Sequence, residues 1–390
     1  MALRCEIATT GEQLEALVPA WDELAEATGA PATLGGWHAA WWRRLAPPGA
    51  ALRIVAVREG RKLVGLAPFL ALRARGGQPQ LRLLGAPATH RVAPLALPEH
   101  ADAVASLTAA ALAGLRPAAG YVAFDATDAG DGGLARLRAG WPGRRPPWLL
   151  AQKRAPAPVM ELSDDDFDAW LMRKSKNFRK QVRRFRRKLG EADGVVRMTR
   201  TADELDRDVD AFVRLHHARW RGRGGSSVDP RVGELLRDAG RALLPSERFR
   251  LWTIEVDGRA ISSQLFLAAG GRALSWNGGF DPDATDLQPS LLGILAGVED
   301  CFRRGERSID LGGGAHDYKL RLADADRPLV WAGLVPRDRR YPLNRALLLP
   351  RQLGGLARDG LERLPDERRA QVRGALARLR RGADAPAPAD

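Results

Sequence analysis

The sequence predicts an α/β protein built from two similar halves, each a hairpin-rich sheet flanked by helices. Three observations lead to this. Two blocks of short apolar strands separated by turn residues, Leu52 to Leu84 and Phe249 to Asn277, alternate with segments of helical periodicity. The blocks match in pattern, Arg53-Ile-Val-Ala-Val-Arg-Glu-Gly60 against Leu251-Trp-Thr-Ile-Glu-Val-Asp-Gly258. Each is followed by a hairpin, a third strand, a helix and a short strand containing Asp: Phe124-Asp125 in one copy, Ile309-Asp310 in the other. A chain of 390 residues fits two or three domains. The expected divisions are 1–160, 161–340 with the more complete site, and 341–390, basic helices ending in a disordered Pro/Ala tail from Ala383.

Leu14, Leu17, Val18, Trp21 and Leu24 recur at helical spacing, and Trp37, Trp41 and Trp42 stud a second short helix; these rings read as core. Strands follow at Leu52 to Val57, Leu63 to Leu72 and Gln80 to Leu84, with a further one near Val92 to Leu97. Glu99 to Leu115 is helical, Tyr121 to Asp125 extended, Leu134 to Ala139 helical, and Trp148 to Gln152 and Val159 to Leu162 extended. Asp164 to Leu189 reads as one helix capped by Ser163, with three aspartates in its first turn. Its apolar stripe is Phe178, Val182, Phe185 and Leu189. Helices at Ala202 to Trp220 and Arg231 to Leu244 flank a Gly-rich loop, Arg221 to Ser227. Strands then run from Phe249 to Val256, Ala260 to Ala268 and Arg272 to Asn277. A helix begins at Pro289, a buried strand covers Ser308 to Leu311, and Leu329 to Val335 is extended.

The net charge of +14 is concentrated in two segments. Residues 173–188 hold ten basic and no acidic side chains, and removing them leaves +4; residues 337–381 contribute a further +8. Only seven of the 61 basic residues are lysines, so the arginine richness alone is poor evidence for phosphate binding. The basic helix 173–188 suits an anionic partner, a membrane surface or a polyanion. Its two aromatics lie on the apolar stripe, which argues against base stacking and against nucleic acid other than a transfer RNA. Cys5 and Cys301 suggest neither a disulfide framework nor a metal site, and no histidine has metal-ligand spacing. With no leader-like apolar segment, the chain reads as cytoplasmic, or peripheral at the inner membrane face.

The stretch Trp276 to Lys319 carries the chemistry: strand, turn, helix starting at Pro289, buried strand, then Gly312-Gly313-Gly314-Ala315-His316-Asp317-Tyr318-Lys319. A helix start beside a strand end holds anions. The glycine triplet lacks a following Gly-Lys-Ser/Thr and reads as a tight turn rather than a phosphate loop. Lys319 is the only lysine after Lys188 and is placed to neutralise a phosphate or an oxyanion. His316 has the intrinsic pKa of a base, and Asp310 is expected to orient Lys319, His316 or a substrate amine.

The ordered set of Asp-Gly hairpin, Gly279-Phe-Asp-Pro282, Pro289-Ser290 helix start, Ile309-Asp-Leu-Gly-Gly313 and Tyr318-Lys319 resembles the GNAT superfamily. It is most similar to the double-domain CelD-like branch, related to the FemABX peptidyltransferases. The likeness extends through Trp37 to Trp42, Val64-Gly-Leu-Ala-Pro-Phe69 and Leu81-Arg-Leu-Leu-Gly85, and so spans roughly residues 10 to 336. It implies tandem GNAT-like domains with mixed, mostly antiparallel sheets, and acyl transfer from an acyl-CoA to an amine of a small molecule, polysaccharide or envelope precursor. It implies that Trp276 and Asn277 line the pantetheine arm and that Gln288, Ser290, Leu291 and Leu292 cradle the pyrophosphate. It places His216, with neighbouring His217, and Arg219, Trp220 and Tyr318 at the acceptor. The branch also admits aminoacyl-tRNA as donor, or a non-catalytic role in polysaccharide biosynthesis. The family's Arg/Gln-x-x-Gly-x-Gly/Ala loop is here Asp286-Leu-Gln-Pro-Ser-Leu-Leu-Gly293, poor in glycine and bearing an acid.

Overall fold

The computed structural model of the chain describes residues 2–349 apart from 75–76, 87, 131, 222–225 and 227. The first half runs β1 (Leu3–Ala8), α1 (Gly11–Thr28), α2 (Gly35–Leu45), β2 (Ala51–Glu59), β3 (Lys62–Arg73), β4 (Pro79–Leu83), β5 (Leu95–Ala96), α3 (Ala101–Gly114), β6 (Tyr121–Asp128), α4 (Gly133–Ala139) and β7 (Trp148–Ala155). The second runs β8 (Pro158–Glu161), α5 (Phe167–Arg173), α6 (Lys176–Glu191), β9 (Val195–Met198), α7 (Ala202–Trp220), α8 (Pro230–Leu243), β10 (Phe249–Val256), β11 (Arg259–Ala269), β12 (Arg272–Phe280), α9 (Pro289–Arg303), β13 (Ser308–Asp310), α10 (Asp317–Leu322), β14 (Ala325–Asp326) and β15 (Leu329–Val335).

The repeat read from the sequence is a repeat of topology. In each half four antiparallel strands, β1 to β4 and β9 to β12, pair in chain order. A helix then returns the chain to a strand that pairs parallel with the fourth. Gln80 to Arg82 meet Tyr121 to Ala123 in the first sheet, and Arg272 to Leu274 meet Ser308 to Asp310 in the second. The crossover helix, α3 or α9, supplies the length that a parallel connection needs. These are the mixed, mostly antiparallel sheets flanked by helices that the sequence predicts.

Strand pairing does not follow the division at 160. β8, which straddles it, pairs with β13 in the second sheet. β15, from the far end of the second half, lies between β6 and β7 in the first. The second half thus lends a strand to the first sheet. They also share one apolar core, in which Leu14, Trp21 and Trp37 pack with Phe212, Leu236, Leu243 and Leu265. Residues Met1–Pro336 form one compact unit. Arg337–Asp390 form another, whose described part is helical over 341–349. The remaining helices and the tail expected there lie outside the described residues. Among the described residues no helix is long and apolar enough to cross a membrane.

Four elements differ from the sequence expectation. β1 and β9 are edge strands whose residues are largely exposed, so they lack the apolar alternation that marks a strand. The strand expected at 92–97 shrinks to Leu95–Ala96. The single helix expected from 164 is two. Asp166, not Ser163, caps α5 by accepting Ala169 N at 2.8 Å, and Ser175 caps α6 by accepting Phe178 N. Between them Lys174 is extended, and its Nζ donates to Leu322 O at 3.0 Å and to Asp324. This ties the α5–α6 elbow to the end of α10, a helix the sequence reading left as a glycine-rich exit. The apolar stripe of α6 is buried as expected.

Trp37 is fully buried and meets the Trp276 ring edge-on at 5.0 Å across the shared core. Trp37→Ala is expected to cost about 3–5 kcal/mol in denaturant unfolding. Because the core is common to both halves, residues 1–336 are expected to unfold in one transition by fluorescence and circular dichroism alike. Two separated transitions would contradict a shared core.

Candidate active site at the strand fork

β12 and β13 pair over only three residues. Past Leu274 and Asp310 they part. β12 continues to Phe280 on β11, while the other chain turns away at Gly312, which has φ 76°. The β13-side edge of β12 from Ser275 onward therefore has no strand partner, and its backbone groups face the fork. Two glycines hold β12 in place here. A Cβ on Gly279 would sit 2.3 Å from His216 N, so α7 presses directly on the strand. A Cβ on Gly278 would meet the Gln264 side chain at 2.0 Å.

The glycine triplet is a pinned turn, as read from the sequence. Gly312 N donates to Asp310 Oδ1 at 2.6 Å, Gly313 N to His90 Nδ1 at 3.4 Å, and Gly314 N to Pro156 O at 2.9 Å. All three N–H groups are engaged, so none is left to cradle a phosphate.

Lys319 lies on α10 with 7% of its surface exposed. Its Nζ donates to Gly312 O at 3.2 Å and Gly313 O at 2.9 Å. An ammonium has three donors, so one remains for a ligand. Burial, helped by the nearby Arg219, pulls its pKa down to about 8. Arg219 Nη1 donates to Gly278 O at 2.9 Å, and its guanidinium lies over the Trp220 and Phe280 rings. It also lies beside the Tyr318 hydroxyl, whose pKa burial raises and Arg219 partly restores. His216 is buried, with Nδ1 2.7 Å from Ser226 Oγ and its ring between Phe212 and Trp220; Asn277 of β12 lies nearby. Burial, then Arg219 and His217, lower its pKa to about 4. The fork thus gathers Lys319, Tyr318, Arg219, Trp220, His216 and Asn277, six of the residues singled out from the sequence.

Others fall elsewhere. Asp310 bonds neither Lys319 nor His316. Its carboxylate takes Arg91 Nε and Gly312 N, and Arg91 also donates to Asp128 and Arg327 O. Asp310 is part of an ion cluster joining the halves, because β13 ends just where the first half brings an arginine. His316 is exposed and stacks on Tyr318 at 6.2 Å, offering its backbone O to Lys319 N. The Trp276 ring is held by Trp37 and Phe212, with Nε1 donating to Ala88 O, so only its backbone remains for a ligand. Gln288 adopts φ 51° and spends its amide on Thr285 O. Leu292 packs into an apolar cluster with Phe185 and Leu189. The N–H groups of Ser290 and Leu291 have no protein acceptor among the described residues, and α9 has no side-chain cap.

The sequence reading missed four contributors. Gln264 Nε2 donates to Ser275 Oγ at 2.9 Å on the buried face of the fork. Three consecutive polar residues, Ser262-Ser263-Gln264, inside an otherwise apolar strand are the available signal. His90 and Arg91 come from a first-half loop with no motif to mark them. Burial and the nearby cations Lys319, Arg91 and Lys153 keep the His90 pKa below its ordinary value. Among the described residues no group of three His, Cys, Asp or Glu is arranged to hold a metal.

Residues 176–320 match the acetyltransferase (GNAT) domain family. The second half is a GNAT domain. No curated protein matches the chain in sequence. The fold is similar to that of FemX at 13% identity, covering 90% of this chain and 99% of that one with a TM-score of 0.59. It is also similar to the C-terminal domain of a candidate lysylphosphatidylglycerol synthetase from Agrobacterium fabrum (9% identity; 87% and 98% covered; TM-score 0.53). A third likeness is to L-PGS from Bacillus licheniformis (13%; 87% and 96%; 0.50). The fork between β12 and β13 corresponds to the parting of parallel strands expected of a GNAT fold, and the first half repeats it without Lys319.

The neutral His216 gives a testable sign. Its folded pKa lies below the ordinary 6.5, so its contribution to stability is present above 6.5 and lost as pH falls through about 4. The His216 ring resonances are expected to titrate near 4 by NMR, and His216→Gln should lose less stability than the native chain over that window. A midpoint near 6.5 would place the ring in solvent.

Proposed function

We propose that the chain is an acyl-CoA-dependent N-acyltransferase acting at the β12–β13 fork on an amine, in the manner of the double-domain CelD-like branch. The observation that carries this reading is Lys319: a buried cation with one unspent donor, set where unpaired β12 backbone faces the gap. In this reading the acyl thioester lies along Ser275 to Asn277. A neutral acceptor amine, having given a proton to water or to His316, attacks the carbonyl carbon. A C–N bond forms, and the carbonyl electron pair moves onto oxygen, where Lys319 Nζ stabilises it. Collapse breaks the C–S bond. Tyr318, kept protonated by burial, supplies a proton to the departing thiolate and regains one from the nitrogen through solvent. Arg219 holds Tyr318 in place, and His216, Trp220 and Asn277 wall the acceptor side. In this reading the acceptor is a small-molecule amine or an amine-bearing envelope or polysaccharide precursor.

A second reading, aminoacyl transfer from a transfer RNA, is favoured by the likeness to FemX over almost its whole length and by the sparse donor set at the α9 start.

Isothermal titration with acetyl-CoA and longer acyl-CoAs tests the first reading, and no binding to any of them would sink it. Lys319→Ala is expected to lower kcat about 100- to 1,000-fold while donor affinity changes little. Because the role needs the ammonium, kcat should fall as pH rises through about 8. A rise instead would make Lys319 a base.

A further inference from the structure

Between α6 and α10 runs a groove of about 510 Å³ whose polar lining is Ser175, Asn177, Lys180, Gln181, Arg184 and Arg321. Asn177, Lys180, Gln181 and Arg184 recur at i, i+3, i+4 and i+7 and so share one face of α6. Among the described residues no carboxylate lines the groove. Among the described residues Lys180, Arg184 and Arg321 have no hydrogen-bond or ion-pair partner, Arg184 resting only on the Phe185 ring. Elsewhere in the segment Arg173, Lys174, Arg186 and Arg187 pair with Asp164, Asp324, Glu299 and Glu191, whereas Lys176, Arg183 and Lys188 are, like the groove cations, without a partner among the described residues. What sets the groove apart is that three such cations line one cavity together. Three cations and two amides converging without an acid make the donor set of a phosphate site.

The groove and the fork share α10. Arg321 is two residues beyond Lys319, and Lys174 bonds the elbow of α6 to Leu322. The other end of α6 packs Phe185 and Leu189 against Leu287 and Leu292 at the start of α9. That helix start offers only the Ser290 and Leu291 N–H groups, with exposed Asp286 nearby. α6 therefore reaches from the end of α10 to the start of α9, with Lys180 and Arg184 between.

We propose that the α6–α10 groove holds the phosphate groups of the acyl donor, relieving the α9 start of that task. The proposal rests on the fork being the transfer site. Acetyl-CoA binding is measured by titration calorimetry for the native chain and the triple variant Lys180→Ala/Arg184→Ala/Arg321→Ala, at low and high salt. The triple variant is expected to bind roughly 10- to 100-fold more weakly and to lose most of the salt dependence, with its circular dichroism unchanged. Arg186→Ala/Arg187→Ala, which removes paired cations of the same helix, should change affinity less than about twofold. Equal losses in both variants would reduce the effect to net charge and overturn the site, as would native affinity in the triple variant. A parallel arm uses transfer RNA. If the native chain binds transfer RNA but not acetyl-CoA, and only the triple variant loses it, the groove stands and the acyl-CoA reading fails. Binding of neither overturns both.

Discussion

The Asp310–Arg91 contact fixes where the second sheet opens. A buried ion pair repays its desolvation only when the remaining donors and lone pairs are also met. Here they are: Arg91 reaches Asp310, Asp128 and the Arg327 carbonyl, and Asp310 also receives Gly312 N. The cluster stops β13 after three residues and starts the glycine turn. Arg91 adopts φ 63°, and Ala126, whose carbonyl accepts Arg91 N, adopts φ 53°. Two non-glycine residues in left-handed conformation at one contact mark a place where local strain is held by its surroundings. The pair joins a first-half loop to a second-half strand, so the fork is a property of the whole 1–336 unit.

Everything at the site follows from that opening. With the β13-side edge of β12 open beyond Leu274, the turn 312–314 lies over the gap, and its carbonyls draw Lys319 inward. The lysine is buried among acceptors rather than acids, which is why its pKa falls although it makes two hydrogen bonds. Arg219, held by Gly278 O and aromatic faces, adds a second cation without a counter-carboxylate. The result is a positively biased gap, where a negative charge is worth more than in water.

Much of the architecture was legible because its signals are local. Asp257-Gly258, Gly270-Gly271 and Pro289 set turns and a helix start, and the 4, 3, 4 spacing in α6 set its buried face. The Tyr318-Lys319 pair and the His216 to Trp220 run were found because unusual residue types sit at strand and helix ends. Missing from the sequence reading are features made by distance. Nothing beside Arg91 in sequence points to Asp310, 219 residues away. Strand alternation leaves Lys319, His316 or a substrate amine as partners for Asp310, whereas the pinned turn carries Lys319 to the carbonyls of Gly312 and Gly313. The break at Lys174 was hidden because its cause, Leu322 O, lies on another element.

The strand lent to the first sheet has a consequence for how the chain is made. β15 separates β6 from β7, so the first sheet has a gap until residues 329–335 leave the ribosome. Until then β6 presents an open edge, the kind of surface that invites pairing with another chain. The first half, though earliest synthesised, cannot be finished first. Nascent chains stalled before residue 329 should therefore depend on chaperones in a way that chains released after it do not.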